Sequence, residues 1–177
     1  MGSRIVRSRR ATTTTTDPEA TQRVRERALR LLARREHSVK ELGQKLSRGA
    51  DVDASIVRSV IDELASKELL SDLRYASAYA LDAVRLKPRA RQRMVSELVE
   101  KGVPARTAAH SVDAVFQDED VDDGDLARRV AERYLPRLQD KPDETRWRRL
   151  AGYLQRRGFD NALIYDVCQE FLPEPEA

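Results

Sequence analysis

The sequence has a single cysteine, Cys168, among its 177 residues. One thiol cannot form a disulfide or a zinc cluster within the chain, so both kinds of framework are excluded. Aromatic residues make up only 5% of the chain, which favours thin helical layers over one thick core. There is also no run of about 18 apolar residues, so we expect no membrane segment and a cytoplasmic protein.

The residue groupings that usually mark catalysis are missing as well. The seven glycines form no phosphate-binding loop. The two histidines, His37 and His110, have no triad partner or metal-ligand partner at a recognisable spacing. We therefore predict that the protein is not an enzyme and has no catalytic residue, cofactor or metal.

The segment before the C-terminus shows what the chain does contain. Apolar residues recur at i, i+3, i+4 and i+7 in Trp147, Leu150, Ala151 and Leu154. This spacing predicts one face of an α-helix. Gly158 is expected to end that helix in a left-handed C-cap, and Asp160 to cap the next one.

Two weaker copies of this segment lie upstream. A shift of 56 residues aligns Gly102 with Gly158 and places Met94, Val95 and Leu98 on the same apolar face. A further shift towards the N-terminus places Val39, Leu42 and Leu46 on the same apolar face. Because one such unit cannot bury its apolar face alone, the repetition predicts stacked modules that share a core.

We therefore predict an all-α protein with three tandem three-helix repeats in an elongated, curved array. The predicted organisation is a disordered basic and threonine-rich tail at 1–18, repeat 1 at 19–70, repeat 2 at 71–117, an acidic linker at 118–125, repeat 3 at 126–172 and a tail at 173–177. Ser38, Asp53 and either Ser71 or Asp72 are expected to cap helices. Pro88 is expected to start the second helix of repeat 2.

Basic residues form two clusters that are candidates for binding a partner or DNA. The nine residues are Arg85, Lys87, Arg89, Arg91 and Arg93 in repeat 2, and Arg148, Arg149, Arg156 and Arg157 in repeat 3. Arg91 occupies the position held by Val39 and Trp147 in the other copies, so it either extends past the core or is held for a partner. The net charge is only +3, which permits a polyanionic partner without requiring one.

Several stretches together resemble the RecX family of bacterial regulatory proteins. They are ALRLLARREHS at 28–38 followed by Lys40, Glu41 and Leu42, then LLSD at 69–72 with Tyr75 and Ala76, then Glu97 and Leu98 with KGV at 101–103, and RRLAGYLQRRGF at 148–159. Their order and spacing cover most of the chain. The family usually has a glycine just before the basic run of the middle repeat, where this chain has Lys87 and Pro88.

The resemblance implies an array of three-helix modules that binds the RecA recombinase filament. Family members mainly inhibit its ATPase activity, filament growth and strand exchange, and so regulate homologous recombination, DNA repair and the SOS response. No cofactor or catalytic residue is implied. We expect a monomer that also binds DNA weakly and without sequence preference.

Two other interpretations remain open at this stage. Ser38 to Lys67 contains two helices joined by a short turn, which is consistent with a helix-turn-helix repressor that binds DNA directly. The second of these helices has Arg58 as its only basic residue, which is unfavourable for reading bases. A passive helical scaffold would explain the repeats but not the arginine clusters.

Overall fold

The computed structural model describes residues 17–48 and 53–172, and every regular element within these ranges is helical. The α-helices in these ranges are α1 Pro18–Leu32, α2 Val39–Ser47, α3 Ala54–Ser66, α4 Asp72–Leu86, α5 Arg91–Glu100, α6 Ala105–Asp118, α7 Asp123–Tyr134, α8 Asp143–Gln155 and α9 Asn161–Phe171. A short 3₁₀ helix, Leu135–Leu138, follows α7. The prediction of an all-α fold built from tandem helical repeats is confirmed.

The helices pack in sequential groups of three. α3 contacts both α1 and α2, α6 contacts α4 and α5, and α9 contacts α7 and α8. The exact repeat boundaries stay a prediction. The predicted tails lie outside the described residues except for Asp17 and Pro18, which cap and begin α1.

Polar side chains determine where several helices begin. Each N-cap side chain accepts a hydrogen bond from a backbone N–H in the first turn of its helix, as predicted, at Ser38, Asp53, Ser71 and Asp160. Each such cap typically stabilises a helix by about 1 kcal/mol. These local bonds place the helix starts independently of the packing.

The buried apolar side chains form two clusters. One lies within α1–α3 and includes Ala28, Leu42, Leu46, Val60 and Leu64. The other is continuous from Tyr75 to Leu172 and includes Met94, Phe116, Leu126 and Leu154. Repeats 2 and 3 therefore share one core, whereas repeat 1 has its own.

The two junctions between successive repeats are built in the same way. The N–H of Val39 donates to Asp72 Oδ1 at 2.9 Å, and the N–H of Arg91 donates to Asp123 Oδ1 at 2.8 Å. In both cases the first residue of a second helix, in α2 and in α5, is capped by the first residue of the helix that opens the next group of three, α4 and α7. A carboxylate is favourable there, because the N-terminus of a helix carries a partial positive charge.

A second pair of bonds repeats at the same junctions. The hydroxyl of Ser38 donates to the carbonyl of Lys101 at 2.7 Å, and the N–H of Ala90 donates to the carbonyl of Arg157 at 3.0 Å. Both carbonyls belong to the turn that follows the second helix of the later repeat. At both junctions the N-cap residue of the earlier repeat's second helix therefore bonds to this turn, through its side chain at Ser38 and through its backbone at Ala90.

Gly102 and Gly158 allow these turns to approach the preceding repeat. Their φ angles of +91° and +84° lie in the left-handed region, which glycine enters without steric cost. A Cβ at Gly158 would lie 2.7 Å from Cβ of Arg93, and one at Gly102 would collide with the side chain of Lys40. Each glycine is thus required both for its own conformation and for the contact between repeats.

The prediction for Pro88 is wrong. α5 begins at Arg91 with Ala90 as its N-cap, and Pro88 is buried in the preceding turn. The carbonyl of Pro88 accepts a hydrogen bond from Arg157 at 2.8 Å. The turn is therefore held by the third repeat, a contact that local proline preferences do not encode.

The connector between repeats 2 and 3 is shorter than the predicted linker at 118–125. α6 continues to Asp118 and α7 begins at Asp123. Asp122 and Asp125 form a reciprocal capping box at the start of α7. Asp122 and Asp125 therefore build the start of α7.

Candidate anion-binding cleft

A cleft lies between repeats 2 and 3, where the turn before α5 meets the turn after α8. Its volume is about 270 Å³, and it is lined by Arg89, Arg93, Glu97, Tyr153, Arg156 and Arg157. We call these six residues the arginine cleft. Four guanidinium groups and one carboxylate give the lining a formal charge of +3, so the cleft attracts anions.

The junction between the repeats brings these side chains together. Arg89 lies in the turn before α5, and Arg93 lies in the first turn of that helix. Arg156 is the C-cap of α8, and Arg157 directly precedes Gly158. Because Gly158 lets its turn lie against Arg93, residues 89 and 157 become neighbours although they are far apart in sequence.

Arg157 is held in place on several sides. Its guanidinium donates to the carbonyl of Pro88 at 2.8 Å and to the hydroxyl of Tyr153 at 2.6 Å. Its Cζ lies 4.6 Å from the centre of the Tyr153 ring, and that ring stacks on Tyr134 at 3.9 Å. A guanidinium above a tyrosine face is stabilised by a cation–π interaction, so Arg157 has a defined orientation.

Glu97 pairs with two arginines of the arginine cleft. Its carboxylate lies 2.9 Å from a guanidinium nitrogen of Arg89 and 2.8 Å from Nε of Arg93. The hydroxyl of Tyr79 also donates to it. The Glu97 side chain is only 16% exposed, whereas that of Arg93 is 51% exposed, so Glu97 lies deeper in the cleft than Arg93.

The surroundings of Glu97 keep it ionised. Burial raises the pKa of its carboxyl group, but hydrogen bonds from Tyr79 and Arg93 and the nearby guanidinium charges lower it more. The pKa of Glu97 is therefore lowered overall. Burial and the bond to Glu97 raise the pKa of Tyr79, which stays protonated as a donor.

Two more of the nine predicted binding residues, Arg85 and Arg91, form ion pairs outside the arginine cleft. Arg85 forms an ion pair with Glu119 at 2.6 Å. Arg91 pairs with Asp113 at 2.7 Å, and its Cζ lies 4.3 Å from the centre of the Phe116 ring. Arg91 therefore extends past the core to a carboxylate of α6.

Three more predicted residues lie outside the arginine cleft and are exposed, namely Lys87, Arg148 and Arg149. Arg148 borders a separate groove of about 510 Å³ between α8 and α9, which Trp147 and Tyr165 also line. The structure thus brings together four of the nine predicted residues and separates the other five.

The sequence interpretation did not include Glu97 and Tyr153 in the site. Glu97 lies four residues after Arg93, a spacing that pairs opposite charges on a helix. Tyr153 lies four residues before Arg157, one helical turn upstream at the end of α8. These spacings are visible in the sequence, but they also occur on ordinary solvent-exposed helices.

The described part of the chain offers few other chemical sites. Within 17–48 and 53–172, no three His, Cys, Asp or Glu side chains are grouped so as to hold a metal ion. No helix in these ranges is long and apolar enough to cross a membrane. Cys168 is buried, and burial raises the pKa of its thiol to about 11, so it is protonated at neutral pH.

Comparison with family models matches both ends of the array. Residues 25–64 match the model described as the first three-helix domain of RecX. Residues 121–168 match the model described as its third three-helix domain. These matches correspond to α1–α3 and α7–α9.

Similar full-length sequences carry the name "Regulatory protein RecX". The one from Halorhodospira halophila is 39% identical over 140 residues, covering 79% of this chain and 83% of the relative. The one from Chlorobium limicola is 31% identical over 150 residues, covering 84% of this chain and 90% of the relative. The similarity therefore extends over most of both chains.

Solved structures show the same fold. The crystal structure of RecX from Lactobacillus salivarius aligns with a TM-score of 0.66 at 20% identity, over 86% of this chain and 96% of the other. A crystal structure of a regulatory protein RecX aligns with a TM-score of 0.70 at 18% identity, over 88% of this chain and 74% of the other. At such low identity these structures support the fold alone.

Proposed function

The chain belongs to the RecX family of regulatory proteins, and on that premise we propose that it binds the RecA recombinase filament and mainly inhibits it. The regulated activities are ATP hydrolysis, filament growth and strand exchange. Through them the protein would regulate homologous recombination and DNA repair. Its main target surface is protein, and contacts to DNA phosphates are secondary.

The observation that carries this proposal is the arginine cleft at the junction of two repeats. Four guanidinium groups from distant parts of the chain converge there, and only one carboxylate among the lining residues opposes them. An array of repeats with such a cleft is suited to lie along an extended, negatively charged assembly. A recombinase filament on DNA is an assembly of this kind.

Three exposed basic residues outside the arginine cleft extend the proposed binding surface. These are Lys87, Arg148 and Arg149. Arg85 and Arg91 each have a carboxylate partner of their own outside the cleft, Glu119 and Asp113, so we assign them to structural roles. Arg89 and Arg93, in contrast, share the single carboxylate of Glu97. The proposed surface thus comprises seven of the nine basic residues predicted from the sequence.

A helix-turn-helix repressor is less consistent with the side chains of repeat 1. The exposed face of α3 presents Ser55, Arg58, Ser59 and Asp62. Specific base reading usually needs arginine, asparagine or glutamine side chains that can bond two base atoms. A single arginine beside an aspartate offers little of that capacity.

A pull-down experiment tests the proposal. Tagged protein is incubated with RecA filaments on single-stranded DNA and, in parallel, with the same DNA alone. We expect strong recovery of filaments and weak, salt-sensitive recovery of bare DNA. Equal recovery of both would contradict a protein target, and salt-resistant preference for one duplex sequence would favour the repressor.

A further inference from the structure

Resting on the proposed function, which brings the protein to DNA-bearing filaments, we propose that the arginine cleft binds a backbone phosphate of nucleic acid and that Glu97 is its internal counter-ion. In the free protein Glu97 neutralises part of the cleft. Glu97 therefore weakens phosphate binding while it holds the arginines in place.

The guanidinium groups of the arginine cleft have donor capacity to spare. Within the described part of the chain, Nε of Arg89 and Nε of Arg157 are buried without a hydrogen-bond acceptor, so the donors open to a ligand lie on the more exposed Arg93 and Arg156. Arg156 is exposed, and half of the Arg93 side chain is exposed. A phosphate oxygen in the cleft can therefore accept from Arg93 and Arg156 while Glu97 keeps its bond to Arg89. Arginine is suited to this task because its planar fork bonds two oxygens at once.

The charge pattern favours a nucleic acid over a carboxylate from a protein. Arg149 and Arg156 are seven residues apart, so they lie on the same face of α8 about 10 Å apart along its axis. This arrangement continues the positive charge of the cleft along the helix. A polyanion with evenly spaced phosphates can use both positions, whereas a single carboxylate would only repeat what Glu97 already supplies.

The position of Glu97 explains how it competes with a ligand. Its carboxylate pairs with Arg89 and Arg93 and is anchored by the hydroxyl of Tyr79. A phosphate near Arg93 would thus lie close to a fixed negative charge. Two like charges in a partly exposed site repel each other appreciably. Removing this one charge should therefore strengthen phosphate binding.

Glu97→Gln and a matched control test the inference. Binding of a fluorescein-labelled oligothymidylate is followed by fluorescence anisotropy. Glutamine keeps the size of the side chain and an acceptor for Tyr79, so we expect binding about fivefold tighter than in the wild type. Glu119→Gln, which likewise removes one negative charge but does so beside Arg85 outside the cleft, should change binding less than about twofold.

A double variant supplies an independent measurement. Arg93→Ala with Arg156→Ala should weaken oligothymidylate binding about tenfold. The logarithm of the binding constant should also fall less steeply with the logarithm of the salt concentration, with a slope smaller in magnitude by about one to two. Circular dichroism checks that each variant stays helical. An unchanged salt slope in the folded double variant would overturn the inference, as would equal effects of Glu97→Gln and Glu119→Gln.

The outcomes separate this inference from the proposed function. If the double variant loses filament binding but binds oligothymidylate normally, the cleft is a protein contact and the phosphate assignment is wrong. If the oligothymidylate results are as expected but the protein never inhibits the recombinase, the proposed function fails and the phosphate site stands.

Discussion

Replacing Gly158 with alanine should loosen the junction between repeats 2 and 3. Its φ of +84° lies in the left-handed region, which costs a residue with a Cβ about 1–2 kcal/mol. The new Cβ would lie 2.7 Å from Cβ of Arg93, an atom fixed to the backbone of α5. Relieving that overlap requires a backbone shift, which typically costs about 1–3 kcal/mol. The expected loss in the free energy of unfolding is therefore about 2–5 kcal/mol.

Thermal unfolding followed by circular dichroism measures this loss. For a chain of this size each 1 kcal/mol shifts Tm by about 2–4 °C, so Gly158→Ala should lower Tm by about 4–20 °C. Gly43→Ala is the matched control, because Gly43 lies inside α2 and a Cβ there meets nothing within 4 Å. That substitution should instead stabilise the protein by about 0.5–1 kcal/mol.

The two glycine variants are expected to change Tm in opposite directions. If Gly158→Ala melts within about 1 °C of the wild type, the turn does not press against Arg93 as described. If Gly43→Ala also lowers Tm, then the space around the added Cβ and the backbone φ do not explain how the two glycines differ.

The remaining predictions concern inhibition, acid stability and thiol reactivity. Arg93→Ala with Arg156→Ala should weaken inhibition of the recombinase ATPase about tenfold, or 1.4 kcal/mol, whereas Arg85→Ala should weaken it less than about twofold; equal effects in ATPase assays would contradict the assignment of the cleft. A hydrogen bond from Arg35 lowers the pKa of Glu41 from 4.5 to about 2. The ionised Glu41 carboxylate therefore stabilises the folded protein above pH 4.5, and this stabilisation is lost as the pH falls towards 2. Glu41→Gln should thus cost about 1 kcal/mol near neutral pH and reduce acid sensitivity in urea unfolding measured across pH; identical curves would contradict this. Cys168 is buried with a thiol pKa raised to about 11, so a thiol reagent at pH 8 should label it only as the protein unfolds, and rapid labelling of the folded protein would refute its burial.

The features that the sequence predicts correctly are those that depend on neighbouring residues. The left-handed turn at Gly158 and the helix caps at Ser38 and Asp160 follow from side-chain chemistry within a few positions. The threefold repetition of the apolar pattern further predicts that three helices pack together in each repeat. Together these signals are sufficient for the fold class.

The features that the sequence does not predict depend on contacts between distant residues. The course of the turn at Pro88 is set by Arg157, which lies 69 residues away. The pairing of Arg85 with Glu119 spans 34 residues, so the sequence does not distinguish it from a free binding residue. The arginine cleft exists only because one repeat packs on the next, and a single sequence does not specify that geometry.

Titrating the protein into a RecA ATPase assay on single-stranded DNA tests the proposed function most directly. We predict half-maximal inhibition at well below one molecule per recombinase subunit, together with shorter filaments in electron micrographs. An array that spans several subunits can block a cooperative filament without saturating it. Inhibition that requires one molecule per subunit and leaves filament length unchanged would contradict this mechanism, and a complete lack of inhibition would contradict the function itself.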